Sequence, residues 1–466
     1  MHVRRWILGV LLLVVPGRLV ADAIDDYLGR EMALRRIPGL ALAVARDGAI
    51  VRVSSYGLAN VETGAPVGPE SVFAIASLDK QITATALVKA AELGKLELDD
   101  PVSQWVDIHL PGATLRQLVS HLSGLPDDTV PSFQGRFLTD YSTGDLLRQA
   151  QGLVPIAPPG RRFLYSDTGL LLAQMATESA VGEPWWEFVR RTVFGPAGMT
   201  SPVSMVPALV LPHRVSAYTL EGDGTLVRDR RLDTDFGPLY SDLGMTVADF
   251  ARFVATQDGE RVLSRDGVTK LTTPSRLADG SLAGEIFQWS RYGLGVGLDD
   301  LLGEPVTLHS GHSGVGFVRF PLRRLTVVVF TDLEHAAGSD PVGLAIGVAG
   351  LLDPAHSLTA LPPLAGVDGA LLARLRSDYE AFLTGRPDLE RYAPAISLPV
   401  WEGAPGLAGR APRLGALQQF EILLDAPLDG ERTLLCRARH AGGTIYWRAS
   451  LDSAGARITR LVWWHV

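Results

Sequence analysis

The chain has 466 residues, of which 47% are hydrophobic and 20% charged, a globular composition with core enough for two or three domains. Its net charge of -8 and the lack of any basic run argue against a nucleic-acid partner. The single cysteine, Cys436, rules out an intrachain disulfide, zinc-type clusters of Cys and His are absent, and no cofactor or metal is expected.

Arg4 and Arg5 precede an apolar run over residues 6–15 that is too short to cross a bilayer comfortably, followed by Pro16, Gly17 and the small residues Ala21 and Ala23. This layout predicts a secretory signal peptide over residues 1–23, cleaved after Ala21 or Ala23, hence export to the periplasm or medium. The alternative is an uncleaved membrane anchor. Cleavage would remove Arg4, Arg5 and Arg18 and take the net charge to about -11 (−8 minus 3). Residues 23–36 read as an amphipathic helix with Ile24, Tyr27, Leu28 and Met32 inward. Residues 39–46 and 49–57 flank Asp47-Gly48, a tight-hairpin signal.

The stretch around which the chain is organised comes next. In residues 73–94 the apolar positions Ile82, Ala86, Leu87, Ala90 and Leu93 recur every three or four residues, predicting a buried helix that starts near Ser77 and stops at Gly94 in a left-handed conformation. Ser77 and Lys80, three apart, share a helix face, so the hydroxyl and the amine can meet. A desolvated lysine is one base able to activate a serine, and a helix N-terminus aims N–H groups at a developing oxyanion. Alone, Ser-x-x-Lys also fits an N-cap serine beside a solvated lysine.

Residues 114–120 form a short helix ending in His121-Leu-Ser-Gly-Leu-Pro126, where His121 reads as structural rather than as a base. Helices follow at 145–151, near Gly169 and at 183–193, the last with Trp185 and Trp186 as packing groups, and around residue 249. Residues 292–298 alternate glycine with apolar residues, as a close-packed strand would. Residues 306–312, 317–320 and 325–331 are extended, and 340–352 a closing helix. The pattern predicts one sheet built from both ends of this region, around an all-helical section over about residues 80–245. Beyond a linker at 354–368, residues 369–384 are a helix, and strands near 416–424, 432–439, 443–451 and 457–464 complete a small separate domain without an evident catalytic constellation.

Taken in order, several motifs carry a resemblance. Residues 75–84 (Ile-Ala-Ser77-Leu-Asp-Lys80-Gln-Ile-Thr-Ala), residues 94–101, His121-Leu-Ser-Gly-Leu-Pro126, the segment Tyr165-Ser-Asp167, and His309-Ser310-Gly311 followed by Gly316-Phe317 and Arg319-Phe-Pro321 fall in a fixed sequence, with 88 residues (165−77) from Ser77 to Tyr165. Residues 24–353 resemble the serine β-lactamase-like family, in its branch of class C β-lactamases, D-aminopeptidases, alkaline D-peptidases and esterases. The resemblance implies an α+β, β-lactamase/transpeptidase-like fold, an antiparallel sheet flanked by helices plus a mainly helical subdomain, here with a helix-plus-curved-sheet domain over residues 369–466.

It also implies roles. Ser77 is the acyl-forming nucleophile, and Lys80 and Tyr165 are the proton-transfer pair, either of which can be the acylation base. The backbone N–H groups of Ser77 and His312 make the oxyanion hole. His309 joins the catalytic group, while Asp167, Ser310 and Gly311 bind substrate. Two positions depart from the family pattern. Asp167 stands where Tyr-x-Asn has asparagine, and an ionised aspartate only accepts hydrogen bonds, so it can pair with Lys80 or with a substrate ammonium. His309 replaces the lysine of Lys-Thr-Gly, which gives β-lactam-active relatives a fixed cation, whereas imidazole is mostly neutral near pH 7. The implied activity is a serine hydrolase for neutral or amino-bearing small-molecule esters or peptides. The alternatives are a β-lactamase or D,D-carboxypeptidase and, from another class, a binding protein that retains the fold without turnover.

Overall fold

In this computed structural model the chain is described over residues 16–126, 142–230, 243–284, 289–394, 396, 400 and 411–466. The apolar run expected to form the signal peptide's core, residues 6–15, lies outside them. The first helix, α1 (Pro16–Arg35), starts seven residues before the expected position and runs through both expected cleavage points; proline, with its fixed φ and no N–H to satisfy, suits the first turn.

Strands β1 (Gly39–Arg46) and β2 (Ala49–Asn60) form the expected hairpin, with Asp47 and Gly48 both at positive φ, 53° and 78°. That is the geometry of a two-residue turn matched to strand twist. Strand β3 (Ala65–Pro66) caps this edge. The chain then enters α2 (Asp79–Glu92), α3 (Leu115–Val119), α4 (Asp167–Val181) and α5 (Val247–Ala255). Gly94 ends the α2 region at φ 66°, as expected. The chain returns through β4 (Arg291–Tyr292), β5 (Gly297–Leu301), β6 (Glu304–Gly311), β7 (Val315–Phe320) and β8 (Leu325–Thr331), closing with α6 (Pro341–Leu352).

The eight strands form one antiparallel sheet in the order β3-β2-β1-β8-β7-β6-β5-β4, so both ends of the region meet where β1 pairs with β8. All seven residues of β8 are buried, because helices cover both faces: α5 lies on one side and α6 on the other.

The section over residues 80–245 departs from the all-helical expectation. It contains Val203–Ser204, Tyr218–Leu220, Leu226–Arg228 and Leu243–Met245 as short strands, the last pairing with Phe73–Ala74 just before Ser77. Runs of two or three residues give too little alternation to be read as strands. The expected continuous strand over 292–298 is likewise broken between β4 and β5. Gly295 turns left-handed there (φ 69°), and a Cβ on it would come within 2.3 Å of the Lys80 carbonyl oxygen. The glycine serves a close approach to α2 rather than a strand.

Past α6, helix α7 (Gly369–Leu383) packs on a second antiparallel sheet, β9 (Leu417–Leu428), β10 (Glu431–His440), β11 (Gly443–Leu451) and β12 (Ile458–His465), in that order. Alternation sorts its side chains. Leu434, Cys436, Ala438, Ile445, Trp447 and Ala449 join Leu375, Tyr379 and Phe382 of α7, while Leu435, Tyr446, Val462 and Trp464 turn to the core beneath α6. Cys436 is fully buried, and burial pushes its thiol pKa up, in keeping with a core residue. The two sheets are clamped by buried charge: Arg448 of β11 donates to both carboxylate oxygens of Asp299 in β5 (2.6 and 2.7 Å) and to the Asp300 carbonyl (2.7 Å).

Candidate active site

The strand Phe73–Ala74 ends at a sharp bend. Ala76 adopts φ 44°, unusual for a residue with a Cβ, and throws the chain into a single 3-10 turn, Ala76–Leu78, before α2 begins at Asp79. The expected helix therefore starts two residues later than Ser77, which sits half-buried on the turn. The bend is held from the sheet side: Ser313 Oγ donates to the Ala74 carbonyl (2.7 Å), and Gly311 lies so close that a Cβ on it would meet Ile75 O at 2.8 Å and Ala76 Cβ at 3.1 Å. Gly311 is thus the residue that lets β6 lie against the Ser77 turn.

One turn into the element, Lys80 is fully buried and donates from Nζ to Ser77 Oγ at 3.1 Å. Its ammonium also forms an ion pair with Asp167, the first residue of α4, and lies 5.0 Å from the centroid of the Tyr165 ring. Burial pulls the Lys80 pKa down, but the carboxylates of Asp167 and Asp79 outweigh it and hold the amine above its ordinary value. Lys80 is therefore a cation at any ordinary pH. Asp167 is delivered by the N-terminus of α4, where Ser166 caps the helix by accepting from Gly169 N–H (3.3 Å) and anchors the preceding loop by donating to the Pro126 carbonyl (3.0 Å).

Behind these residues runs a chain of rings. The Ser166 N–H donates to His121 Nδ1 (3.1 Å), which leaves the proton of that neutral ring on Nε2, facing the Tyr292 hydroxyl at 3.3 Å. The Tyr292 hydroxyl in turn donates to His309 Nε2 (3.1 Å), and His309 Nδ1–H donates to the Ser310 carbonyl (2.8 Å). Burial, reinforced by the Lys80 charge, holds His121 well below the ordinary histidine range and His309 at about 3. Both are neutral. Trp289 packs on His309 with ring centroids 4.5 Å apart and planes tilted by 35°, and His121 packs against Tyr165 at 4.3 Å.

The geometry brings Ser77, Lys80, Tyr165 and Asp167 together, with His309 behind them, its ring 6.3 Å from that of Tyr165. His121 is the structural residue the sequence suggested, buried and bonded at both nitrogens. His312 lies in the turn between β6 and β7, its carbonyl held by the His335 N–H at 2.8 Å. Ser310 projects to the opposite face of β6 from His309, toward α6. Trp185 is buried and Trp186 half-buried in the helical core, as packing groups. Neither Tyr292 nor Asp79, the latter inside the Ser77-x-x-Lys80 motif, carried an expected role. Only the pairing of β4 with β5 and the charge around Lys80 reveal them.

Comparison with known proteins gives the context of this arrangement. The family model described as Beta-lactamase matches residues 24–347. The chain is 26% identical over 267 residues to penicillin-binding protein 4* of Bacillus subtilis, covering 53% of this chain and 58% of that one. It is 31% identical over 196 residues to esterase EstB of Burkholderia gladioli, covering 38% and 49%. The match thus spans about half the length of these curated relatives. Among solved structures, the octameric penicillin-binding protein homologue from Pyrococcus abyssi superposes with a TM-score of 0.64 at 21% identity, over 93% of this chain and 96% of that one.

Proposed function

The chain belongs to the Beta-lactamase family, whose members are serine hydrolases, and on that premise we propose that it hydrolyses small neutral or amine-bearing esters or amides through an acyl-enzyme on Ser77. The observation that carries this reading is the buried Lys80 ammonium bonded to Ser77 Oγ and paired with Asp167. The cation stabilises the alkoxide as the serine proton leaves. While Asp167 and Asp79 keep Lys80 charged, it has no lone pair to accept that proton, so in this reading Tyr165, reacting as its phenolate, takes it. Ser77 Oγ attacks the substrate carbonyl, whose oxygen is received by the N–H groups of Ser77 and His312. The proton passes to the departing alcohol or amine, and water then attacks the ester on Ser77 by the reverse relay.

Substrate choice follows from charge. His309 is neutral and offers no fixed cation to a substrate carboxylate, and Asp167 adds a negative charge. Both disfavour β-lactams and peptides ending in a free carboxylate. Residues 24–353 form the hydrolase unit in this reading, 354–368 the linker and 369–466 the second domain. Export is proposed from the Arg4-Arg5 and apolar pattern of residues 1–23; among the described residues no helix is long and apolar enough to cross a membrane.

Intact mass after brief exposure to an aryl ester or to a penicillin, beside Ser77→Ala, tests the reading. Ester turnover that is lost in the variant, with no comparable penicillin reaction, is the expected result. A cephalosporin hydrolysed as fast as the ester would overturn the substrate class. Failure of any reagent to react at Ser77 would overturn the enzyme in favour of a binding protein.

A further inference from the structure

Four consecutive residues join the site to the C-terminal domain. The outer two, Trp289 and Tyr292, belong to the rings behind Tyr165. The Trp289 ring lies 4.5 Å from that of His309 and 5.5 Å from that of Tyr292, and the Tyr292 hydroxyl bridges His121 and His309. The inner two, Ser290 and Arg291, are tied elsewhere. Ser290 Oγ donates to Asp299 Oδ1 (2.7 Å), and that carboxylate takes Arg448 of β11 on both of its oxygens. Arg291 forms an ion pair with Asp300 and donates to Asp429 Oδ1 (3.1 Å) in the turn between β9 and β10. Asp429 Oδ2 accepts in turn from Arg460 of β12 (2.7 Å).

The segment needs such ties. Strand β4, which carries Arg291 and Tyr292, is two residues long and lies at the edge of the sheet, paired with Gly297 and Leu298 of β5. So short a ladder fixes position weakly. The Tyr292 backbone adds two bonds, its N–H to the Ala283 carbonyl and its carbonyl to the Ser275 N–H, both 2.8 Å. Those bonds place the main chain of one residue. The lateral position of Trp289 and Ser290 depends on Asp299, whose carboxylate is in turn oriented by Arg448. All three of Ser290, Asp299 and Arg448 are buried, and a guanidinium bonded to both oxygens of a carboxylate sets angle as well as distance. Gly297 completes the seat: a Cβ on it would come within 2.7 Å of the Trp289 ring, so the glycine lets the indole lie against β5.

We propose that the C-terminal domain is a working part of the hydrolase site: Arg448 and Asp429 are positioning residues that, through Ser290 and Arg291, hold Trp289 and Tyr292 against His309. The inference rests on the serine-hydrolase reading above and adds to it the origin of the site's order. Neither Arg448 nor Asp429 meets the substrate. They act on His309 by fixing the indole on one side of its ring and the hydroxyl that donates to its Nε2. Loosening the segment leaves Ser77, Lys80 and Asp167 in place, since none of them is bonded to it through a side chain, and disturbs the wall behind Tyr165.

Two mild variants of the full chain test it. Ser290→Ala removes one hydroxyl and leaves the Arg448–Asp299 pair intact. Asp429→Asn removes a charge but keeps the side-chain shape at a left-handed position (φ 53°) that asparagine tolerates. Circular dichroism and melting temperature check that each is folded. With p-nitrophenyl acetate, kcat should fall on the order of tenfold in each, the scale of a small misplacement in an active site, while KM stays within about twofold. Nitrogen NMR of histidine-labelled protein reads the same tie without turnover: the signals of neutral His309, protonated on Nδ1, should shift or broaden in both variants. Such a change in a protein whose wild type hydrolyses no ester would retain the tie and discard the hydrolase. If the wild type is active and both folded variants keep its kcat and its His309 signals, the positioning role is refuted while the hydrolase reading stands. A loss of activity that only tracks unfolding, with His309 unmoved, would likewise reduce Arg448 and Asp429 to domain contacts and overturn the inference.

Discussion

Replacing Asp167 by asparagine keeps the size of the side chain and one acceptor oxygen, but removes the negative charge from a fully buried ammonium. Two unit charges about 4 Å apart attract by about 4 kcal/mol at an effective dielectric near 20. The Asp167 side chain is 23% exposed, so water recovers part of that in the variant. The retained amide oxygen recovers more, and a net loss of about 2–3 kcal/mol in unfolding free energy at pH 7 is expected. The sign of the pH effect follows from Lys80, whose pKa is raised above the ordinary 10.5. Its contribution to stability is complete below that value and is lost only as pH climbs through the higher folded pKa. The wild type should therefore show no alkaline loss from this group below about pH 10.

In Asp167→Asn, burial is opposed by Asp79 without its stronger partner, so the Lys80 pKa falls. The alkaline limb of kcat/KM for an ester should then move to lower pH, because the ammonium that steadies the Ser77 alkoxide is titrated away sooner. Urea unfolding at pH 7 and a pH–rate profile from 6 to 11 measure both effects. Unchanged stability together with an unmoved limb would refute the electrostatic account. A variant faster than wild type at pH 7 would refute the assignment of Lys80 as cation and make it the base.

Tyr292→Phe removes the hydroxyl that joins His121 to His309 and leaves a buried imidazole nitrogen without its donor; a loss of about 1–3 kcal/mol is expected in urea unfolding, with kcat falling more than KM changes. His309 is neutral with a pKa of about 3, so its folded form binds fewer protons than the unfolded chain below about pH 6.5, and its contribution is lost as pH falls through that window. By pH 4.5 this amounts to about 2–3 kcal/mol, and His309→Gln should flatten that part of the stability–pH curve. Gly295→Ala forces a Cβ to 2.3 Å from the Lys80 carbonyl at a left-handed position and should cost at least about 2 kcal/mol, read as a lowered melting temperature. Arg448→Ala strands the buried Asp299 carboxylate and should cost about 3–5 kcal/mol in the same assay, whereas joint replacement with Asp299→Ala should cost less.

What the sequence disclosed was local. Ser77 and Lys80 meet because residues three apart on a helical turn must, Asp47-Gly48 makes its hairpin from two backbone angles, and Gly94 ends its helix the same way. The uninterrupted apolar run of β8 marked a sheet centre because burial on both faces leaves no room for alternation. What stayed hidden depends on partners far along the chain. Tyr292 looks like one end of a glycine-spaced strand until β4 carries it between two histidines that are 188 residues apart (309−121). The left-handed Ala76 leaves no trace in composition, since its strain is met by Gly311 at the end of β6 and Ser313 in the turn that follows.

The two departures from the family pattern act in the same direction. Relative to Tyr-x-Asn and Lys-Thr-Gly, Asp167 adds one negative charge and the neutral His309 removes one positive charge, a change of −2 within a site closed from water on its sheet side. Either change alone would unbalance the centre. A lysine at 309 would add a second ammonium to a buried cluster already centred on Lys80, and with asparagine at 167 the attraction opposing Lys80 desolvation would fall to Asp79. Together they retain one ammonium on the nucleophile and remove the outer cation that would hold a substrate carboxylate. The hydroxyl of Tyr292 lets a histidine occupy the old lysine position without a charge, because it supplies the donor that a neutral imidazole nitrogen needs. On the proposed acyl-transfer reading, a gain of carboxylate-bearing substrates should require Asp167→Asn and His309→Lys in the same chain, with either single change yielding less than half of the combined effect on log(kcat/KM) for a penicillin.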